Sequence, residues 1–512
     1  MNALTEYLHQ NTDLQRTNLV LDDQEAEHVR KLLYQEERTL GTLNESILET
    51  TNTLLALSGT HASVQARIHS YRRCLFFSTP KRLPPEIVQE IFRHCMAFNY
   101  PDETPSSSTA PLLLTQICSA WRKIALSTPD LWKNVVLEFI GVSAVENVQE
   151  LAKLWIERCG SLPYAIKISS HLPQGFQMSN PLHDLLHHKP TSISALDLEL
   201  PAEYLQHFND LPLETQFENL ESISVIPMEP ESDIPSSWYH TTPIFESAPK
   251  LKKIQLELST NIYELSALRF PWWQLTHLDI ECADGWCPHD AFAVFKQCKM
   301  LQACDIRIES FETFEDIELE NSLHFPHLEK LTLKLPNFVL FDILDIPLLK
   351  SLSIYLATSP QQLTHIIPLI NFHRRCNLKL EKLALGGTHP IDEVLSLLQL
   401  ISGPLRDLSL SFMEIIPGTT AIRHLTIPRD TTRPVFPDLE RLWLGVCEDV
   451  DTISLIVDLL ESRGWSSDHP SIHRLRALSI CLTNRHFGNP QWKEPLKPFV
   501  DRGLDLITMP WQ

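Results

Sequence analysis

Ten copies of a short leucine motif constrain the fold of this chain more than any other feature. The motif L-x-x-L-x-L, with conservative replacements, starts at residues 220, 251, 275, 301, 328, 349, 380, 405, 439 and 475, at spacings of 21 to 36 residues. In a strand this pattern places the leucines on one side and the intervening residues on the other. One unit cannot bury its leucines alone, so the sequence predicts an α/β solenoid with a parallel sheet.

The segments between the motifs predict the connections of this solenoid. Stretches starting at residues 290, 360, 391 and 449 carry apolar residues at helical spacing and are predicted crossover helices between parallel strands. Apolar-proline pairs precede four units, and we expect the apolar residue to fill the layer between units: Phe270-Pro271, Phe325-Pro326, Ile346-Pro347 and Phe436-Pro437. We assign residues 193–512 to the solenoid and residues 138–192 to linking helices and a first irregular repeat.

Composition excludes several classes of protein. A chain of 512 residues with 43% hydrophobic content folds into several domains, and its net charge of -21 argues against binding nucleic acid. No apolar run approaches the roughly 20 residues of a membrane span, and the start lacks a basic segment followed by an apolar one. The eleven cysteines are scattered, which favours reduced thiols. The predicted location is therefore the cytoplasm or the nucleus, away from membranes.

The N-terminal part predicts a long helix over residues 22–77, after a tail over residues 1–21. One heptad register holds from Ala26 to Leu75, and only Glu36, Thr50 and His61 interrupt its apolar seam. Such a narrow stripe favours a coiled coil and hence self-association through residues 26–75. Two alternatives remain: the helix packs on the next domain of its own chain, or it breaks at Ser58-Gly59-Thr60 and folds back.

Three short apolar helices are predicted next. LPPEIVQEIF begins at Leu83 with two prolines that suit a first helical turn, and APLLLTQICSAWRKIALSTPDLW follows from residue 110. Three helices of this size make a small core, so a partner protein is expected to complete it. A core that serves only its own chain is the alternative.

The order of these residues resembles the F-box, in the form with a Ser-Thr-Pro-x-Leu-Trp ending that is common in mushroom-forming fungi. The resemblance covers residues 78–137, and the leucine motifs resemble the leucine-rich half of many F-box proteins. It implies a three-helix fold that docks on the Skp adaptor and, through it, on the cullin of a ubiquitin ligase. Carried over by position, the adaptor contacts would be Leu83, Pro84, Pro85, Ile87, Ile91, Phe92, Cys118, Trp121, Leu131 and Trp132.

Catalytic and metal-binding patterns are weak in this sequence. The densest group of candidate ligands lacks the C-x2-C knuckle of zinc sites: Cys282, Cys287, His289, Cys298 and Cys304. His183 and His187, one helical turn apart, and the acidic run at 312–320 are better explained as solvated surface. None of the common nucleophile, zinc-protease or phosphate-loop motifs occurs. We therefore predict a protein that is not an enzyme and needs no cofactor.

Two functions remain, and they share one binding surface. The leading hypothesis is a substrate-recognition subunit whose repeats hold a target protein; the alternative is an interaction scaffold that does not assemble with a cullin. In either case the strand residues between the leucines would bind, with Tyr355, Arg441 and Trp443 as candidate anchors and the acidic early strands favouring a basic segment. Trp443 could instead pack under a terminal loop.

Overall fold

The computed structural model describes most of the chain, in ranges separated by gaps. The described residues are 22–78, 83–97, 107–139, 145–170, 190–201, 216–228, 245–258, 268–282, 288–308, 322–335, 338–356, 365–387, 389–401, 404–411, 415–428, 434–445, 450–465, 472–482 and 490–510. They divide into two compact units. The first holds the residues up to Ile91 together with Cys118–Trp121, and the second holds Phe92–Ile117 and the residues from Arg122 onward.

The first helix, α1, is continuous over Asp23–Ser78, 56 residues in length. It passes through Gly41 and Gly59 without interruption, so the predicted alternative of a break at residues 58–60 is wrong. Ten residues of its apolar seam are at least 42% exposed: Leu33, Leu40, Leu43, Ile47, Leu54, Leu57, Val64, Ile68, Tyr71 and Leu75. The seam is therefore exposed over most of its length.

Short helices follow where the apolar stretches predicted them. They are α2 (Pro85–Ala97), α3 (Leu112–Ile117), α4 (Ser119–Leu126) and a 3-10 turn over Pro129–Leu131. The Pro84 carbonyl accepts the backbone N–H groups of Ile87 and Val88, which closes the first turn of α2. The hydroxyl of Thr128 donates to the Ile124 carbonyl at 2.7 Å and closes the end of α4.

Fourteen parallel strands form one sheet, and their order in the sheet follows their order in the chain. A separate two-stranded parallel sheet joins Leu323–His324 and Leu344–Asp345. The strands are β1 (Asn134–Phe139), β2 (Tyr164–Ser170), β3 (Ile193–Pro201), β4 (Ser222–Met228), β5 (Lys253–Leu258), β6 (His277–Cys282), β7 (Ala303–Ile308), β8 (Leu323–His324), β9 (Lys330–Leu335), β10 (Leu344–Asp345), β11 (Ser351–Leu356), β12 (Lys382–Gly386), β13 (Asp407–Ser411), β14 (Arg441–Gly445), β15 (Ala477–Leu482) and β16 (Asp505–Pro510).

Each of the ten leucine motifs forms a strand that begins two residues after its first leucine. The leucines pair with one another across the sheet, as in Leu331, Leu352 and Leu383 of adjacent strands, and all three are buried. The predicted parallel α/β sheet is confirmed. It also begins earlier than residue 193, because β1 and β2 join it.

Helices and turns connect the strands. The helices predicted from residues 290, 391 and 449 are present, and the segment predicted from residue 360 is described as helix from Ile367. The helix over Ile415–Leu425 was not predicted. The helices are α5 (Val145–Cys159), α6 (Pro288–Phe295), α7 (Ile367–Cys376), α8 (Ile391–Leu400), α9 (Ile415–Leu425), α10 (Val450–Leu460) and α11 (Lys497–Val500).

Stacked aromatic rings fill the layers between successive strands. The rings of Phe217 and Phe245 are 5.4 Å apart, and those of Phe245 and Phe270 are 5.7 Å apart. Four apolar residues that precede prolines are buried as expected: Phe270, Phe325, Ile346 and Phe436. In these units, an apolar residue three to six positions before the leucine motif thus supplies part of the core.

The buried guanidinium of Arg463 connects segments of the C-terminal part by hydrogen bonds. The side chain of Arg463 follows α10 and is fully buried. Its guanidinium donates to the Leu425 carbonyl at 2.7 and 3.1 Å, to Phe436 O at 2.8 Å and to Val435 O at 2.9 Å. Burial lowers the pKa of Arg463 to about 10, so it remains charged at neutral pH. These bonds tie the end of α9 to the approach to β14.

Candidate functional site

The face of the sheet opposite the leucines, here called the open face, carries three rows of side chains that cross the strands. The lysine row is aligned with Lys253, the middle row with Gln255 and the outer row with Glu257. In β5 these three residues are exposed, whereas Ile254 and Leu256 between them are buried. The alternation predicted from the leucine motifs is therefore observed.

A cleft of about 550 Å³ follows the lysine and middle rows across β1 to β7 and β9. It crosses eight neighbouring strands, which at about 4.8 Å per strand gives a length of roughly 34 Å. An extended polypeptide of about ten residues spans this length at roughly 3.3 Å per residue. The shape suits a peptide segment that crosses the strands better than a compact small molecule.

Three carboxylates surround one arginine in the centre of the open face. Arg307 binds Glu281 at 2.6 Å and has its Nε 3.2 Å from Asp305, while Asp279 lies 4.0 Å away. Burial, followed by repulsion from Asp305, raises the pKa of Asp279. The guanidinium neutralises one of three carboxylates, so this cluster keeps an excess of negative charge.

Two lysines and a histidine flank this cluster in the lysine row. Lys253, His277 and Lys330 lie in this row on β5, β6 and β9. Burial, with added repulsion from Lys253 and Lys330, lowers the pKa of His277, so the imidazole is neutral at pH 7. The open face thus offers a basic row beside a more acidic one.

Tyr355 lies on the outer row of β11 and is exposed. Its ring covers Gly386 of β12, because a Cβ atom at Gly386 would lie 2.8 Å from Tyr355 Cδ1. Burial of the hydroxyl, with a smaller effect of Asp305, raises the pKa of Tyr355. Ser353 of the same strand is buried, although its place in the middle row predicts exposure.

Arg441 and Trp443 lie on β14, further along the open face. Arg441 is bound to Asp407 at 3.2 Å, so the arginine predicted as an anchor already has an ionic partner in its own chain. Trp443 is partly exposed in the middle row, between Ser409 of β13 and Ser479 of β15. Both neighbours of the indole in this row are therefore small.

An apolar stripe marks the start of α2. Leu83, Ile87 and Ile91 are exposed. Ile87 and Ile91 are four residues apart in α2 and share one side of it, and Leu83 lies two residues before the helix. Pro84 and Pro85 beside them are also exposed. Five of the predicted adaptor contacts are therefore available on the surface.

Three other predicted contacts are core residues. Phe92, Leu131 and Trp132 are at most 1% exposed, so no partner can reach their side chains in this structure. The indole of Trp132 donates to the Ala125 carbonyl at 2.9 Å and packs edge-on against Trp155 at 4.8 Å between ring centroids. These three side chains therefore form part of the hydrophobic core.

Cys118 and Trp121, the remaining predicted contacts, are partly buried. The backbone N–H of Trp121 donates to Cys118 Sγ at 3.4 Å, so the cysteine caps the first turn of α4. Cys118 and Trp121 therefore both take part in the structure at the start of α4.

The described residues contain no group of three His, Cys, Asp or Glu side chains arranged to hold a metal ion. Cys298 and Cys304 are buried, and burial raises the pKa of both thiols. The other candidates His183, His187, Cys287 and the acidic run at 312–320 lie outside the described residues, as does the tail at 1–21. Within the described part, no helix combines the length and the apolar character of a membrane span.

Comparison with protein-family profiles and with curated proteins finds no match to this chain.

Two features of this surface were not predicted from the sequence. The cluster around Arg307 was not predicted, although its acidic neighbours in β6 were predicted to lie on the surface of the sheet. The signal was available, because Asp279, Asp305 and Arg307 follow from the register once motifs 275 and 301 are aligned. The packing of the Tyr355 ring over Gly386 could not be predicted from the motifs, because it depends on the pairing of β11 with β12.

Proposed function

We propose that this chain is a non-catalytic substrate receptor of a Skp-cullin-F-box ubiquitin ligase, with residues 78–137 as the adaptor-binding F-box. The observation that carries this proposal is the exposed apolar stripe of Leu83, Ile87 and Ile91, which flanks the helix-starting pair of prolines. An apolar stripe that the chain leaves uncovered is suited to a protein partner. The resemblance to the F-box names that partner as the Skp adaptor.

We further propose that residues 134–510 form a leucine-rich-repeat solenoid that holds the target. Fourteen parallel strands in chain order, each joined by a helix or a turn, are what stacked repeats produce. The cleft on the open face then receives an extended segment of the target, and the excess of carboxylates around Arg307 favours a basic one. The receptor would act by proximity, since it raises the concentration of the target near the ligase.

The adaptor proposal is tested with charged substitutions in the stripe. We expect Ile87→Asp together with Ile91→Asp to weaken adaptor binding more than about 100-fold, since each buried isoleucine contributes roughly 1.5 to 3 kcal/mol. Co-purification of Skp and cullin with the full chain measures this loss.

Leu348→Asp is the matched control, because Leu348 is equally exposed but lies far from the stripe in sequence. Circular dichroism checks that the double variant keeps its fold. Undiminished adaptor recovery with the folded double variant contradicts the proposed interface. A wild-type chain that captures neither Skp nor cullin favours the alternative, an interaction scaffold without a ligase.

The target surface is tested at two aromatic residues. We expect Tyr355→Ala and Trp443→Ala each to weaken target binding by about 2 kcal/mol, or roughly 30-fold, because aromatic anchors on a protein surface often contribute this much. Quantitative proximity labelling with the intact chain and each variant measures the recovery of partners. Trp273→Ala is the control, since Trp273 is exposed but lies outside the three rows. Equal recovery of all partners by the three variants would place the target elsewhere.

A further inference from the structure

The exposed seam of α1 is an extended apolar surface that the proposed function does not use. It runs the length of a helix of about 84 Å at 1.5 Å per residue. Gly41 and Gly59 lie outside the two seam positions, so neither weakens the stripe. The hydroxyl of Thr50, one of three polar residues in the seam, donates to the Ser46 carbonyl at 2.7 Å within the helix. Thr50 can therefore enter an apolar layer without an unpaired hydroxyl.

We propose that a second copy of this chain covers this seam and that the two α1 helices run antiparallel, with Glu36 of each copy facing His61 of the other.

The polar interruptions of the seam exclude the parallel alternative. A two-fold symmetric parallel pair must be in register, because any stagger leaves an open-ended assembly. In register, Glu36 would face Glu36 of the second copy inside the interface, and two carboxylates in one desolvated layer repel strongly. An antiparallel pair separates the two carboxylates.

Antiparallel packing places one seam position opposite the other, which restricts the possible registers. Two registers overlap the helices almost completely. In one of them, Glu36 faces Ile68 and His61 faces Leu43 of the second copy, which leaves both polar groups in apolar layers. In the other, Glu36 faces His61, Leu40 faces Leu57 and Leu43 faces Leu54. This second register pairs the two charged or titratable interruptions with each other and leaves only Thr50, which faces Ile47, as a polar residue in an apolar layer.

The distribution of charge along α1 favours the same orientation. Residues 22–49 contain eight carboxylates against three Lys or Arg, whereas residues 50–78 contain three arginines and no carboxylate. A parallel pair would place the acidic halves side by side. An antiparallel pair places each acidic half against a basic half, and this complementarity is what identifies a second copy as the occupant.

Cysteine cross-linking tests the orientation in the full chain. The exposed Cys74 is first replaced with Cys74→Ser, and the chain then carries Leu40→Cys and Leu57→Cys. We expect oxidation with copper phenanthroline to give a covalent dimer in which mass spectrometry joins residue 40 to residue 57. Links from 40 to 40 and from 57 to 57 would establish the parallel pair and overturn the proposal. A chain that stays monomeric in light scattering at micromolar concentration would overturn it as well.

A charge exchange tests the facing pair. His61→Glu alone places two carboxylates in one layer, and we expect the dimer to dissociate at a concentration at least about tenfold higher. Adding Glu36→His restores the pair in the antiparallel register, so the double variant should return to within about threefold of the native chain. In a parallel pair the exchange still leaves Glu facing Glu, and no rescue occurs.

Asn52→Glu is the matched control, because position 52 lies on the outer side of the helix and changes the charge equally. An effect of Asn52→Glu as large as that of His61→Glu, or a double variant as weak as the single one, would overturn the assigned register.

Discussion

Replacing Arg463 with methionine should open the C-terminal strands of the sheet. Arg463→Met keeps the aliphatic stem but removes the guanidinium, which leaves the buried carbonyls of Leu425, Val435 and Phe436 without their donor. Leaving a buried acceptor unpaired costs about 1 to 3 kcal/mol, so we expect a total loss of roughly 3 kcal/mol or more. Hydrogen exchange followed by mass spectrometry measures the opening of peptides from β14 and β15.

The effect should be local. Stacked strands contact only their neighbours, so exchange in β1 to β7 should change little. Arg423→Met is the matched control, because Arg423 is exposed on α9 next to the same layer. Equal protection of β14 in both variants would show that the bonds of Arg463 contribute nothing to stability.

Trp132→Ala should destabilise the chain instead of removing a surface contact. The indole is fully buried, packs against Trp155 and lies 4.4 Å from the guanidinium carbon of Arg158. Truncating a buried tryptophan to alanine costs about 3 to 5 kcal/mol through lost contacts and the remaining cavity. Urea unfolding followed by circular dichroism measures this loss.

Two further variants separate packing from hydrogen bonding at this site. Trp132→Phe keeps a ring but loses the bond to Ala125, so its expected cost is smaller, about 1 kcal/mol beyond repacking. Trp273→Ala, at an exposed tryptophan, should change stability by less than about 0.5 kcal/mol. A Trp132→Ala variant that keeps native stability but fails to bind the adaptor would contradict this structural role and support Trp132 as an adaptor contact.

The leucine spacing was sufficient to predict most of the sheet, because leucines at these positions lie on the one side of each strand that is buried. Four strands of the main sheet lie outside the ten motifs: β1, β2, β3 and β16. The sequences of β1 and β2, NVVLEF and YAIKISS, carry valine, isoleucine and alanine in place of the spaced leucines. The spacing of apolar residues also missed α9, where Pro417 and Gly418 disrupt the helical pattern near the start. A proline is tolerated there because the first turn of a helix has no partner for that N–H group.

The site was predicted less completely than the fold. The motif positions identified which strand residues lie on the open face, but not that Arg441 is paired with Asp407 or that Tyr355 covers Gly386. Those facts depend on which strands are neighbours. In the short helices, apolar spacing identified surface and core residues together, so Phe92 and Trp132 were grouped with Ile87 and Ile91. Arg463 was not predicted as a core residue, because nothing in its local sequence distinguishes it from a solvated arginine.

The order of strands in the sheet has a consequence for how the protein is made. Every strand pairs with a neighbour that begins 21 to 36 residues before it in the main sheet, so each pairing closes only a short loop of chain. Such local contacts favour rapid formation of each pairing. During synthesis, each new strand can add to an edge that has already left the ribosome, and no strand has to wait for the C-terminus.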